Sequence, residues 1–456
     1  MKKSLITFFV MLSLFVVVGC SSNREAPDLT SEKSVHIGAW VAPPPTKDGD
    51  GNYLYITESH YQNIADSGID TIYALYERGQ TEAQLQALDM AEKAGIDYYL
   101  SHPSLPGLFQ GVVDSADNII EADYQADVEL MLDILEPYES HPAFKGILVI
   151  DEPGAAPFPG LGIFKEAFKE HFPDKDFYIN LFPTYSSFAQ RDERSYVEYI
   201  DEYIEHVNPS FLSYDHYPLM KSGQQPMITA DYLMNLEIIA EKTDEADIPF
   251  WLFLQTIGFT QSTGSQWRTP DESMLRWQML NSLAFGAKGI QHFTYWTPTG
   301  GSHENFTTGM IDQYGEKTDV YYAAQTINQE IRAMEEAYLS YDWADIMTYT
   351  PNEEDIPQQF RMLASVRESH EGIRSIEADT NLIIGVFEKE DYEKDAFVVV
   401  NFDDPALGNE SHINMHFDDA DNVIIFHQGQ RIDQALERGR FEYDLEPGDG
   451  IFVIPY

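Results

Sequence analysis

Acidic side chains follow two short apolar segments of this sequence. Asp151 and Glu152 follow the run 146–150, and Asp215 follows the run 211–214. Neighbouring carboxyl groups can divide acid and base work, because burial and mutual repulsion keep one protonated while the other stays ionised. Asn180 and several aromatic residues end other apolar segments. Because amides bind hydroxyls and flat rings pack on the apolar faces of sugars, the combination predicts a carbohydrate site.

We predict Glu152, Asp215 and Asp151 as the catalytic group. A structural role for Asp151, in which it only accepts hydrogen bonds from the protein around it, is equally compatible with the sequence. The predicted substrate-binding side chains are Trp40, Tyr76, His102, Asn180, Tyr185, Tyr214, His216, Tyr217, Gln255, Trp267, Tyr295 and Trp296. Each histidine could instead be a satisfied structural group, and any of the tryptophans and tyrosines, Trp40 especially, could be core. Arg78 and Arg268 could pair with a sulfated or uronic acid substrate, or form surface salt bridges.

The elements that must position these residues alternate between short apolar strands and longer amphipathic helices. Eight strand candidates occupy residues 35–41, 71–76, 98–102, 146–150, 177–182, 211–214, 250–255 and 290–295. Helical patterns lie between them at 82–93, 123–135, 164–171, 196–206, 230–242, 273–285 and 319–337. Eight such units predict a (β/α)8 TIM barrel, whose active site lies at the carboxyl ends of the strands. A doubly wound sheet is the alternative, but Pro43-Pro44-Pro45 stands where its Gly-rich phosphate turn would be.

The sequence predicts four segments in all. Residues 1–19 are expected to be a signal peptide, 20–34 a flexible tether and 35–342 the barrel. After residue 342, short alternating segments separated by turn-forming clusters predict a small C-terminal antiparallel β-sandwich domain over 343–456.

The segment Asp151-Glu152-Pro153 resembles the end of the fourth strand in clan A glycoside hydrolases, where a glutamate at this position is the general acid and base. Tyr214-Asp215-His216-Tyr217-Pro218 and the run 284–290 leading into Tyr295-Trp296 are similar in kind, so the resemblance covers roughly residues 35–340. It implies a glycosidase with Glu152 as proton donor. Retaining members of the clan carry a nucleophilic glutamate at the end of the seventh strand, where this chain has Gln255.

Three explanations of this departure are open. Asp215 could be the second carboxylate, as an inverting base or, if close enough, as the nucleophile. Alternatively, the Asp151-Glu152 pair resembles that of N-acetylhexosaminidases, in which the acetamido group of the substrate attacks and the aspartate steadies it. The third explanation is a non-catalytic, carbohydrate-binding surface lipoprotein with a degenerate barrel.

The charge of the chain restricts its partners. The 456 residues include 76 Asp and Glu against 28 Lys and Arg, a formal charge of -48, with no basic stripe. Such a surface repels nucleic acid, so no nucleic-acid partner is expected. Asp48-Gly49-Asp50-Gly51-Asn52 lacks the later ligands of an EF-hand and no zinc spacing occurs, so neither a metal nor a cofactor is predicted.

The beginning of the chain resembles a bacterial lipoprotein signal. Lys2 and Lys3 precede an apolar run over 5–18, and Cys20, the single cysteine, stands where such signals place the lipidated residue. The sequence therefore predicts an exported protein, anchored by lipid to the cell envelope. Removal of Lys2 and Lys3 leaves 76 acids against 26 bases (28 minus 2), a charge of -50, which as a hypothesis indicates a saline habitat.

Overall fold

A computed structural model describes residues 26–113, 118–299 and 304–456. Eight parallel strands form a closed barrel in which each strand pairs with the next along the chain and the last pairs with the first. The strands are β1 (His36–Trp40), β2 (Thr71–Tyr73), β3 (Asp97–Leu100), β4 (Phe144–Asp151), β5 (Asp176–Leu181), β6 (Leu212–Asp215), β7 (Phe250–Gln255) and β8 (Gly289–Phe293). The predicted TIM barrel is confirmed, with β7 at its predicted bounds and β2 ending three residues earlier than predicted.

Eight helices surround the barrel, and one of them, the seventh, is also covered on its outer side by the C-terminal strands. They are α1 (Glu58–Asp66), α2 (Thr81–Ala94), α3 (Glu121–Leu135), α4 (Phe158–His171), α5 (Tyr196–Val207), α6 (Tyr232–Glu245), α7 (Glu272–Ala284) and α8 (Asp319–Tyr338). The sequence patterns located α2 to α8. Helix α1 was missed because only Tyr61 and Ile64 are buried along it, too few apolar positions to produce a periodic signal.

The inside of the barrel contains a layer of hydrogen-bonded polar side chains. Tyr73 and Tyr178 both donate to the Gln291 Oε1 atom, at 2.5 and 3.0 Å. The Gln291 Nε2 atom donates to the Ser213 hydroxyl at 2.9 Å. All four side chains are buried, so the layer satisfies its polar groups internally and fixes Ser213 beneath the carboxyl ends of β5 and β6.

Five short antiparallel strands extend from the loops that follow β6, β7 and β8. In sheet order they are Glu304–Phe306, Phe259–Gln261, Gln266–Trp267, Leu219–Ser222 and Gln225–Ile228. We refer to these five strands as the rim sheet. Because all of its strands follow the carboxyl ends of barrel strands, the rim sheet stands beside the face where a TIM barrel carries its active site.

The C-terminal unit contains two packed antiparallel sheets and a short helix, α9 (Gln358–Met362), consistent with the predicted β-sandwich. Its strands are β9 (Asp342–Tyr349), β10 (Ile373–Ala378), β11 (Leu382–Lys389), β12 (Tyr392–Asn401), β13 (Ser411–Phe417), β14 (Asn422–His427), β15 (Gln430–Ala435), β16 (Arg440–Leu445) and β17 (Gly450–Pro455). The larger sheet has the order β9-β11-β12-β17-β14-β15, and the smaller has the order β10-β13-β16.

The larger sheet is buried on both of its faces. Along β11, Leu382 and Ile384 pack into the core between the two sheets, whereas Ile383 and Phe387 pack into the barrel core. Gly385 approaches helix α7 so closely that a Cβ atom there would lie 2.1 Å from a backbone oxygen of the helix. The sheet is therefore continuous with the barrel core rather than a separate lid.

A buried ion pair also joins the two units. Arg268, beside the rim sheet, donates to both carboxylate oxygens of Asp404 at 3.0 and 2.7 Å. This pairing corrects the suggestion that Arg268 contacts an anionic substrate, because both partners are buried and their charges are already matched.

No helix within the three described ranges is long and apolar enough to cross a membrane. The predicted signal peptide and Cys20 lie outside the described residues.

Candidate active site

A cavity of ≈ 520 Å³ opens at the carboxyl ends of the barrel strands, a volume typical of a small-ligand site. It brings together Glu152, Asp215, Asp151, Trp40, Asn180, Tyr185, Tyr217 and Trp267 from the residues predicted on sequence. Its remaining lining residues are Phe182, Pro183, Ser186, Gln190, Phe253, Phe259, Gln261, Phe293 and Glu304.

Two backbone irregularities direct Asp151 and Glu152 into the same cavity. Successive residues of a regular strand point to opposite sides, so two adjacent carboxyl groups need a turn between them. The pairing of β4 with β5 shifts register between Leu148 and Ile150, which sets Asp151 opposite Asn180. Glu152 then has a φ of 48°, in the left-handed region, and its N–H donates to the Asn180 carbonyl at 2.8 Å. A positive φ at a non-glycine residue recurs at functional sites.

The carboxyl groups of Glu152 and Asp215 lie in hydrogen-bonding contact with each other. Burial raises the pKa of Glu152, and the negative charges of Asp215 and Asp151 raise it further. Burial also raises the pKa of Asp215, against hydrogen bonds from Tyr217, Glu152 and Asn180 that lower it. The proton of the pair is therefore held by Glu152, and Asp215 is the member that ionises more easily.

Asn180 links Asp215 to Asp151. Its Nδ2 atom donates to Asp151 at 3.2 Å and to Asp215 at 3.3 Å, while its Oδ1 atom accepts from the Ser213 hydroxyl at 3.0 Å. Since Ser213 is held by Gln291, the polar layer of the barrel fixes which way the Asn180 amide faces. Asp151 lies among protein atoms on most sides but its surface stays open to the cavity. Burial raises its pKa, with Asn180 and Arg78 opposing the rise.

Aromatic side chains form the walls of the cavity. Trp40 packs edge-on against Phe253, with ring centroids 5.6 Å apart. In the rim sheet, Phe259 and Trp267 stack at 4.4 Å, and the Trp267 indole N–H donates to the Tyr217 carbonyl at 3.0 Å. Such flat apolar surfaces around carboxyl groups suit a sugar ring.

Tyr185 stands at the mouth of the cavity and is 46% exposed. His216 packs against its ring, with centroids 4.9 Å apart. His216 itself is buried, with its Nε2 atom 3.5 Å from an oxygen of Asp231. The prediction that His216 binds substrate is corrected, because its ring packs against Tyr185 and does not line the cavity.

Three aromatic residues predicted to bind substrate are instead core. Tyr214, Tyr295 and Trp296 are at most 1% exposed and line no part of the cavity. Tyr295 donates to the His60 carbonyl at 3.4 Å, and Trp296 packs on Tyr55 at 4.7 Å. Sequence position at the end of a strand could not separate these residues from Trp40, because which way each points depends on the local twist and register.

Two further predicted residues lie around the cavity without lining it. The Tyr76 hydroxyl accepts from the Thr299 N–H at 3.1 Å, so it joins two loops. His102 lines a smaller cavity that adjoins the main one.

Gln255 occupies the strand position where clan A retaining enzymes carry their nucleophile, but it is fully buried. Its Oε1 atom accepts from the Leu219 N–H at 3.1 Å, and its Nε2 atom donates to the carbonyls of Leu219 and Arg268 at 3.3 and 2.6 Å. The prediction that Gln255 binds substrate is corrected, because all of these contacts hold the backbone of and beside the rim sheet.

The sequence analysis did not select Glu304, Phe259 and Gln261 as site residues, although all three line the cavity. They lie on rim strands of only three residues each, too short to show periodicity. Phe182 also lines the cavity, and its position at the end of the predicted strand 177–182 could have identified it from the sequence.

Among the described residues, no group of three or more His, Cys, Asp or Glu side chains could hold a metal ion.

Comparisons with known proteins agree with this geometry. A family model described as β-galactosidase, for glycoside hydrolase family 42, matches residues 164–334. Curated proteins give no significant sequence match. A catalytic mutant of a family 42 β-galactosidase from G. stearothermophilus is 11% identical over 94% of this chain and 99% of its own, with a TM-score of 0.57. A β-galactosidase from Bacillus circulans sp. alkalophilus is 10% identical over 94% of this chain and 100% of its own, with a TM-score of 0.56.

A β-galactosidase from the psychrophilic Marinomonas ef1 is 12% identical, with a TM-score of 0.48, and the chain covers 60% of its length. The family match, together with the fold shared with the first two structures, confirms the predicted class, a clan A TIM-barrel glycoside hydrolase. The same findings support the predicted glycosidase.

Proposed function

We propose that the protein hydrolyses a poly- or oligosaccharide by double displacement, with Glu152 as general acid and base and Asp215 as nucleophile. The observation that supports this proposal is the contact between the two carboxyl groups inside an aromatic-walled cavity. In this proposal the nucleophile is Asp215, at the end of β6. The end of β7, where retaining enzymes of clan A carry their nucleophile, has Gln255 instead.

The contact favours retention of configuration over inversion. An inverting site holds its two carboxyl groups about 6.5–9.5 Å apart to leave room for a water molecule, whereas a retaining site holds them about 5–5.5 Å apart. Carboxyl groups in hydrogen-bonding contact leave no space for that water. Two groups in contact are nearer to the retaining spacing than to the inverting one.

The reaction follows from the protonation of the pair. Glu152 donates its proton to the glycosidic oxygen, the C1–O bond breaks and the leaving sugar departs as an alcohol. The Asp215 carboxylate forms a bond to C1. Water then attacks C1, its proton passes to the Glu152 carboxylate and the bond between C1 and Asp215 breaks. The enzyme returns to its starting state.

Asp151 is given a supporting part in this scheme. Asn180 orients it toward the cavity, where an ionised carboxylate binds sugar hydroxyls and stabilises positive charge that develops on the sugar ring. A substrate-assisted reaction, with Asp151 steadying an acetamido group, is the competing scheme. It differs in requiring a 2-acetamido sugar.

The match to a β-galactosidase family model makes β-galactosides the first substrates to test. The substrate panel therefore pairs aryl and oligomeric β-galactosides with their 2-acetamido counterparts.

Activity of Glu152→Gln is the primary test. We expect hydrolysis to fall at least a thousandfold while the folded protein still binds the oligosaccharide, because only proton transfer is removed. Glu166→Gln, on an exposed position of α4, is the matched control and should be fully active. Full activity in Glu152→Gln would end the assignment, and binding without turnover by the wild type would establish the binding-only alternative.

The mechanism has its own measurement. Asp215→Ala should be inactive and regain turnover with azide, giving a glycosyl azide of the opposite anomeric configuration. NMR of early products should show retention of configuration. An inverted product, or cleavage restricted to 2-acetamido sugars, would exclude Asp215 as the nucleophile.

We further propose that the protein is exported and lipidated at Cys20. The supporting observation is the sequence Val17-Val18-Gly19-Cys20 after a short apolar run. Labelled fatty acid should enter the wild type but not Cys20→Ser, and label in both would contradict the proposal.

A further inference from the structure

A second, smaller cavity of ≈ 210 Å³ adjoins the candidate active site. We refer to it as the side cavity. Trp40 and Asp151 line both cavities, so a ligand in one lies next to the other. Most of its wall is apolar, and its remaining polar side chains are Arg78, Ser101 and His102.

Of the residues that the structure describes, Arg78 is the only lysine or arginine on the wall of either cavity. Across the three described ranges it makes no hydrogen bond and no ion pair, although acids outnumber bases 76 to 28 in this chain. The buried arginines Arg268 and Arg276, in contrast, each have a carboxylate partner within 2.7 Å. A guanidinium with free donors beside a substrate cavity is therefore available to a ligand.

The backbone around Arg78 is held in place. Residues 77–80 form a turn closed by the Gln80 N–H donating to the Glu77 carbonyl at 2.9 Å, and Tyr98 donates to the buried Glu77 carboxyl at 2.6 Å. Gly79 has a φ of 73°, and a Cβ atom there would lie 2.8 Å from Pro103. The absence of a side chain at Gly79 lets the Arg78 loop pack directly on the loop that carries His102.

His102 adds a second donor to the side cavity. Its Nδ1 atom accepts from the Ser104 N–H at 3.2 Å, and burial lowers its pKa, so the ring is neutral with its proton on Nε2. No acceptor for this Nε2–H is found among the described residues.

We propose that the side cavity binds an anionic substituent of the glycan, a carboxylate or a sulfate ester, through Arg78 and His102. This inference rests on the proposed glycosidase function and specifies its substrate class. The planar guanidinium presents paired N–H donors that match either anion, and its exposed position leaves it accessible to a substituent that extends from the main cavity.

Two sources of negative charge, the Asp151 carboxyl group and the acidic chain as a whole, are compatible with an anionic ligand. Asp151 lines the same cavity, and the positive charge of Arg78, which lowers the pKa of Asp151 against the effect of burial, offsets the repulsion between this carboxylate and a bound anion. The net charge of -48 repels anions at long range, yet the screening length is about 8 Å at physiological salt, so the contacts inside the cavity dominate.

Binding to three size-matched galactose oligosaccharides tests the proposal. One is neutral, one carries a single sulfate, and one has a single residue oxidised to galacturonic acid. Titration calorimetry uses full-length Glu152→Gln, so that no ligand is consumed. We expect one anionic oligosaccharide to bind at least tenfold more tightly than the neutral one. Which anion is preferred distinguishes sulfate from carboxylate.

Three further substitutions, each made in the Glu152→Gln background, assign the effect. Arg78→Gln should abolish the anionic preference and Arg78→Lys should keep part of it. Arg440→Gln, the same charge change on the exposed strand β16, should keep all of it. Equal binding of neutral and anionic ligands, or a preference that survives Arg78→Gln, would overturn the proposal.

The result also separates this inference from the proposed function. If wild-type enzyme hydrolyses the neutral oligosaccharide but no anionic preference exists, the side-cavity proposal alone fails. If no oligosaccharide is bound or hydrolysed, both proposals fail.

Discussion

The three carboxyl groups of the candidate site belong to one hydrogen-bonded network. Burial raises the pKa of Asp151, Glu152 and Asp215. The Asn180 amide donates to both aspartates and opposes the rise at each of them, although Tyr217 opposes it more strongly at Asp215. The amide does so because Ser213 occupies its oxygen. The protonation state of the site therefore depends on a side chain that carries no charge.

Asn180→Ala should shift the acid side of the pH profile. Loss of the amide removes a hydrogen bond that lowers the pKa of Asp215, so Asp215 takes up its proton at a higher pH and kcat/KM begins to fall earlier on acidification. We expect a shift of about one pH unit, since a hydrogen bond to a charged group is worth about 1.5–3 kcal/mol. Ser213→Ala leaves both donors in place and should shift the profile less. An unchanged profile in Asn180→Ala would contradict the role given to the amide.

Glu77 makes the stability of the protein depend on pH. Burial raises the pKa of this carboxyl to about 7, against a hydrogen bond from Tyr98 that lowers it. Because the folded pKa lies above the unfolded value of about 4.3, its contribution to stability is complete below pH ~4 and is lost as the pH rises through 7. The loss amounts to roughly 4 kcal/mol.

Glu77→Gln should therefore gain stability relative to the wild type between pH 5 and pH 8. Denaturant unfolding at the two pH values measures the gain. Glu82→Gln, at a position with 78% of its side chain exposed, is the control and should show none. A difference between Glu77→Gln and wild type that does not change with pH would show that Glu77 does not titrate in this range.

At the scale of elements, the ends of β6 and β7 contribute differently to the candidate site. Strand β7 ends in a glutamine that holds the backbone of the rim sheet, and β6 supplies the carboxyl group that contacts Glu152. The rim sheet in turn contributes Phe259, Trp267 and Glu304 to the cavity. The end of β7 thus shapes the site indirectly, through the loops that it anchors.

Gln255→Glu should not restore a nucleophile at the end of β7. The Gln255 Nε2 atom donates to two carbonyl groups, and a carboxylate there would face both oxygens while fully buried. We expect a loss of about 3 kcal/mol of stability, in line with an uncompensated buried charge, and no activity in an Asp215→Ala background. Gln430→Glu, on the exposed strand β15, is the matched control for thermal unfolding. Hydrolysis regained by the double variant would contradict this account of β7.

At the scale of the whole molecule, the surface is dominated by negative charge. Acids outnumber bases by 76 to 28, and the formal charge is -48. Several of the basic groups are already bound in ion pairs, such as Arg276 with Glu330 and Arg332 with Asp70. Most carboxylates therefore have no positive partner, and their mutual repulsion opposes the compact state.

Added salt should therefore stabilise the protein. We expect Tm to rise steadily between 0.05 and 1 M NaCl at pH 7.5, because the screening length shortens from above 10 Å to about 3 Å over this range. The rise should shrink at pH 4.5, where many carboxylates are protonated. Sucrose at matching osmolality controls for general solute effects. A Tm that does not respond to NaCl would remove the hypothesis of a saline habitat.

The sequence by itself determined the barrel, its C-terminal β domain and the location of the carboxyl groups. Strand and helix periodicity is a local property, and a strand-ending Asp-Glu-Pro is visible without any contact. Residues at or directly after the ends of strands were therefore found wherever the apolar pattern of their segment was clear in the sequence, as with Glu152, Asn180 and Asp215.

Tertiary structure decided which strand-end residues face the cavity. Trp40 and Trp296 look alike in sequence, yet Trp40 lines the cavity and Trp296 is buried against Tyr55. Only the closed barrel showed that Asp215 contacts Glu152 and that Gln255 is hydrogen-bonded to the backbone of and beside the rim sheet. The direction in which a strand-end side chain points depends on the register, bulges and twist of its strand. Contacts between strands far apart in sequence exist only after the barrel closes.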